Sequence, residues 1–192
     1  MKLTILSMAV SILLFTACNN GSKTTNNSVG GIDSAKTEVA HTEADIRTAS
    51  TKEVISAYLQ LKNALAKDND KDAAEGGNNL VKAIGNVDQA SLTVQQSKVF
   101  KDISDDAKEH AEHIGSNAGN IKHQREHFEM LSPEIYELVK AGDKTGQKFY
   151  YVNCPMYNGG KGGNWISETK DIQNPYLGKA MLNCGSIKEE LN

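Results

Sequence analysis

Residues 94–131 read VQQSKVFKDISDDAKEHAEHIGSNAGNIKHQREHFEML, and within them Phe100, Ala107, Ile114, Ile121 and Phe128 recur every seven residues. Ile103, Ala111, Ala118 and Leu131 flank that series, so the apolar side chains line one face of a long helix. A face of this kind needs neighbours to cover it, which makes it the seam of a helical bundle. Gly115 and Gly119 are where such a helix would kink or divide.

The segments on either side follow the same grammar. Ser50 or Thr51 can cap a helix carrying Val54, Ile55, Tyr58, Leu61, Leu65 and Ala66, which Asp68-Asn69-Asp70 ends. A second helix from Asp70 carries Ala73, Ala74, Leu80, Val81 and Ile84 and stops at Gly85-Asn86. Its Gly76-Gly77 pair costs roughly 1 kcal/mol per glycine relative to alanine, so a close helix–helix approach is expected there. Ser132-Pro133-Glu134 reads as cap, first-turn proline and first-turn acid of a fourth helix that runs to Gly142. The expected fold is therefore mainly α: an antiparallel four-helix bundle over residues 50–192 that ends in an irregular, Gly-rich flap (146–192). In that flap Phe149-Tyr150-Tyr151-Val152 is β-prone, and Trp165 and the tyrosines are its apolar anchors.

The N-terminus is an address. Lys2 precedes an apolar run of eleven residues, 5–15, too short to span a bilayer but suited to a signal-peptide core. Thr16-Ala17-Cys18 then supplies the small residue before cysteine that lipoprotein processing requires. Residues 1–17 are expected to be a lipoprotein signal peptide and Cys18 a lipidated anchor, outside the cytoplasm in a membrane facing the periplasm. Residues 18–49 are rich in Asn, Ser, Thr and Gly and read as a disordered tether. With Lys2 removed, 20 basic against 24 acidic residues leave a formal charge of −4, which argues against a nucleic-acid partner.

Three cysteines are present. Assigning Cys18 to lipid leaves Cys154 and Cys184, each beside a methionine: Cys154-Pro155-Met156 and Met181-Leu182-Asn183-Cys184. Two thiols and two thioethers form a donor set for Cu(I) or another soft metal, whereas two thiols alone, outside the cytoplasm, form a disulfide. Both readings stand: Cys154, Met156, Met181 and Cys184 as metal ligands, with His127 as an optional fifth, or Cys154–Cys184 as a structural staple. On one continuous helix His113 and His127 would lie about 21 Å apart, so His110, His113 and His123 are read as surface residues. His127 differs because it borders the seam beside Phe128. No zinc-protease HExxH, P-loop, CxxC or nucleophile elbow occurs, and no enzymatic activity is expected.

The chain resembles a bacterial family, the domain of unknown function 3347. The resemblance rests on Gln124-Arg125-Glu126-His127-Phe128, Leu131-Ser132, Tyr151, Cys154-Pro155-Met156, Gly162 and Trp165-Ile166-Ser167. It continues through Ile172, Asn174-Pro175-Tyr176, Gly178, Met181-Leu182 and Cys184-Gly185, and more loosely through Tyr58, Leu61, Lys62 and Ala64-Leu65. It spans residues 52–191, with departures at Tyr157 and Gly163-Asn164. Its members look like small helical extracytoplasmic proteins, and the domain also occurs attached to adaptor subunits of heavy-metal efflux pumps. The resemblance implies handling of copper or silver and a heavy-metal efflux system as partner. The function expected is a lipid-anchored protein that buffers Cu(I) or passes it to efflux; the alternative is a disulfide-stapled binding or scaffold module.

Overall fold

The computed structural model describes residues 42–142 and 146–191, with side chains from Thr51 onward. The expected signal peptide, Cys18 and most of the expected tether lie outside these residues. Four helices, α1 (Thr42–Ala66), α2 (Asp70–Gly85), α3 (Val94–Ser116) and α4 (Ile121–Ala141), precede β1 (Phe149–Cys154), β2 (Gly163–Ser167) and β3 (Ser186–Leu191). Among the described residues no helix is long and apolar enough to cross a membrane.

Helix α1 begins eight residues before the expected cap at Ser50, so residues 42–49 of the expected tether are helical. The stretch TEADIRTA holds no glycine or proline to stop it. Val54, Ala57, Tyr58, Leu61, Ala64 and Leu65 are buried at three- and four-residue steps. Asn69 caps α2, its side chain accepting from the Asp72 amide. A Cβ at Gly76 would stand 2.9 Å from the Leu61 Cα, and one at Gly77 would stand 2.8 Å from the Ala111 carbonyl oxygen. The glycine pair thus lets α2 press against α1 on one side and α3 on the other, as expected. Thr93 and Gln96 form a capping box that starts α3.

The expected long helix divides earlier than its proline suggests. Asn117 ends α3 and Asn120 caps α4, its side chain accepting from the His123 amide. Between them Gly119 takes φ +90°, where a side chain is strained, and its amide donates to Asp70 at 2.6 Å. Gln124 ties the same corner to the carbonyls of Asp70 and Ile114. Ser132-Pro133 therefore lies inside α4 rather than at the start of a new helix. Pro133 is exposed, and the Ser132 hydroxyl donates to the Phe128 carbonyl one turn back at 2.8 Å.

The expected irregular flap is instead an antiparallel three-stranded sheet ordered β2-β1-β3. Central β1 pairs Val152 with Trp165 and Cys154 with Gly163, and alternates half-buried with buried positions. The sheet docks on the helices through aromatic rings: Tyr58 stacks on Phe128 at 5.1 Å, and Tyr176 meets both Phe128 and the fully buried Trp165. A hydrogen-bond chain reinforces this contact. The Ile166 amide donates to the Tyr58 hydroxyl, which donates to Ser132, which donates to the Phe128 carbonyl. Buried Lys62 adds an ion pair to Glu168 at 2.7 Å, whose other oxygen takes a bond from Asn63.

Candidate metal centre

Because the chain reverses at 117–120, residues equally far from the turn face each other. His110 lies seven residues before Asn117 and His127 seven residues after Asn120; their Nδ1 atoms are 3.3 Å apart. His113 stacks flat on His127 with ring centres at 4.2 Å, and His123 meets His127 edge-on at 4.6 Å. His113, His123 and His127 each bring one ligand atom within 4.8 Å of the others. His113 is exposed as expected, but the reading that His110, His113 and His123 stand apart from His127 is thus corrected. It rested on a continuous helix, and the break folds the 21 Å axial separation back on itself.

His127, at the middle of the cluster, is held in the state that binds metals. Burial, then the neighbouring imidazoles His113, His123 and His110, push the pKa of His127 down to about 4. That of His110 is also lowered, first by burial. Neutral imidazole is the ligating form, so proton competition at His127 starts only in acid. Acidic residues border the rings: His123 Nδ1 is 3.5 Å from Glu126, His113 Nε2 is 4.0 Å from Glu109, and His110 Nε2 is 3.9 Å from Glu134. Glu134 is pushed up to about 7, by burial first and by the charge of Asp106 second. Its Oε2 is buried without a hydrogen-bond partner. Three imidazoles at a partly exposed site are a donor set suited to Zn2+ or Cu2+.

The sulfur residues gather in part. Cys154, fully buried at the end of β1, and half-buried Cys184 are free thiols with Sγ atoms 2.7 Å apart. The Cys184 thiol is held above its usual range, first by its contact with Cys154 and next by burial; a bond from the Met156 amide opposes the rise. Asn174 fixes this loop, accepting from the Tyr176 and Leu177 amides and donating to the Cys184 carbonyl. Met156 and Met181, by contrast, are 60% and 43% exposed. The rings that meet His127, the expected fifth ligand of the sulfur site, belong to the other histidines.

The sign of the histidine cluster was present in the sequence as symmetry. Asn117 and Asn120 bracket Gly119, and the four histidines fall in pairs on either side of them. Residues 54–147 match the model of a family described as a protein of unknown function (DUF3347). All four histidines lie within the matched residues and all four sulfur residues lie beyond them. No curated protein and no solved structure matches the chain.

Proposed function

Through residues 54–147 the chain belongs to the DUF3347 family, and from that premise we propose that it is a metal-handling protein whose centre is His113, His123 and His127. The observation that carries the proposal is the convergence of their three ligand atoms within 4.8 Å. The metal is a borderline divalent ion, Cu2+ before Zn2+ by the usual affinity order for imidazole sites. Partial exposure suits exchange, and buffering or handover to a heavy-metal efflux system is the role the family resemblance implies. The frame is an antiparallel four-helix bundle, and the protein is placed outside the cytoplasm on a lipid at Cys18.

Cys154 and Cys184 enter this account as a disulfide staple rather than as a Cu(I) centre. What favours the staple is the 2.7 Å approach of the two thiols while both methionine side chains face solvent. A competition titration with a colorimetric zinc chelator, on oxidised protein, tests the proposal. His113→Ala and His127→Ala are each expected to weaken binding at least about 100-fold, and Met156→Leu with Met181→Leu to leave it unchanged. Equal affinity in the histidine variants and the wild type would refute the proposal.

A further inference from the structure

The fourth histidine of the cluster faces two ways. His110 Nδ1 touches His127 Nδ1 at 3.3 Å, and its Nε2 points to Glu134 Oε1 at 3.9 Å, a gap that one water or a small shift closes. Both side chains are largely buried, at 18% and 17% exposure, and the second Glu134 oxygen has no partner.

These contacts fix where the hydrogens sit. When Glu134 is ionised it only accepts, so the His110 nitrogen facing it carries the hydrogen. A neutral imidazole has one such hydrogen, which leaves His110 Nδ1 as an acceptor. His127 Nδ1 must then donate to it, and His127 Nε2 is left bare. We propose that His110 and Glu134 are positioning residues that hold His127 in the Nδ1–H tautomer, so that its Nε2 serves as the metal ligand. This inference rests on the metal-centre reading above and assigns it a supporting shell.

The other two rings follow the same rule. Glu126 stands 3.5 Å from Nδ1 of His123 and Glu109 stands 4.0 Å from Nε2 of His113; where those nitrogens carry the hydrogen, Nε2 of His123 and Nδ1 of His113 are bare. Each ligand thus has an acidic neighbour on its outer nitrogen, reached in the case of His127 through His110. A carboxylate behind each imidazole is the arrangement that orients ligating histidines and raises their basicity.

The test is a long-range proton–nitrogen NMR correlation of the histidine rings in the full, metal-free chain, above the Glu134 value of about 7. Zn2+ affinity is measured in parallel. The wild type is expected to show His127 with Nδ1 protonated and Nε2 bare. Glu134→Gln and His110→Ala are expected to mix the His127 tautomers and to weaken Zn2+ binding about 10- to 100-fold. His110→Asn, which keeps an acceptor for the His127 Nδ1–H, is expected to restore both readouts. A Glu134→Gln protein that melts no lower than the wild type confirms that loss of folding is not what moved. A tautomer and an affinity that ignore both substitutions overturn the inference. A tautomer that follows Glu134 in a protein that binds no Zn2+ upholds the positioning and refutes the metal reading instead.

Discussion

The α3–α4 hairpin and the cysteine loop both bring distant residues into contact, by opposite means. In the hairpin a four-residue turn between two helices reverses the chain, and everything on the inner faces meets by symmetry. In the loop, thirty residues separate Cys154 from Cys184, and two strands, two turns and the Asn174 bonds are needed to close the gap. The hairpin leaves the ligand atoms of three imidazoles within 4.8 Å of one another. The loop leaves its thiols too close for an ion and well placed for a bond. On the proposed reading, the helices bind and the sheet holds.

That contrast can be broken most severely at the staple. Replacing both Cys154 and Cys184 by serine is expected to cost about 3–4 kcal/mol under oxidising conditions, the chain-entropy value for a loop of this length, while Zn2+ affinity stays constant. Urea denaturation with and without reductant reads the first quantity. A variant that loses metal binding along with its cysteines would merge the two regions into one site.

The turn comes next. Gly119→Ala puts a side chain at φ +90° and is expected to destabilise the protein by about 1–2 kcal/mol. Here metal affinity should fall as well, because the turn sets the facing of the four rings. A loss of stability with no change in affinity would show that the helices hold the cluster without it.

Acidity separates the regions on a smaller scale. His127 titrates at about 4 in the folded chain against its ordinary 6.5, so the unfolded chain takes up its proton first as pH falls. Stability of the metal-free protein should therefore drop by about 1 kcal/mol from this group between pH 6.5 and 4, allowing for solvent screening. Glu134 acts in the opposite sense. Its folded value of about 7 lies above the ordinary 4.5, so its contribution is lost as pH rises through that window. His127→Gln and Glu134→Gln should each remove one slope, as read from melting temperature against pH; identical profiles in all three proteins would discount both shifts.

Much of the frame could be read from the chain, and the reasons are local. The starts of α2 and α3 follow from Asn69 and from the Thr93/Gln96 box, and the Gly76-Gly77 pair announced a close approach that the helices do make. The Cys154–Cys184 proximity was legible from the count and placement of the cysteines. The break at 117–120 was legible only as an option at Gly115 and Gly119, because the heptad Phe100, Ala107, Ile114 keeps its phase across the turn into Phe128. Both halves of the hairpin present their seam to one core, so periodicity alone cannot reveal the reversal. Pro133 misled for a related reason. It is a strong stop signal, but it sits on the exposed face of α4 while its neighbours Leu131, Ser132 and Ile135 are buried, and tertiary packing overrides the lost hydrogen bond. The sheet was hidden because β2 and β3 acquire their pairing only from β1, a long-range contact with no local period.

The donor atoms themselves are the most direct test. X-ray absorption at the zinc edge of protein loaded with one equivalent of Zn2+ separates nitrogen ligands at about 2.0 Å from sulfur ligands at about 2.3 Å. The account predicts a first shell of nitrogen and oxygen only, with the multiple-scattering pattern of imidazole. A sulfur shell at the longer distance would contradict it and return the metal to Cys154 and Cys184.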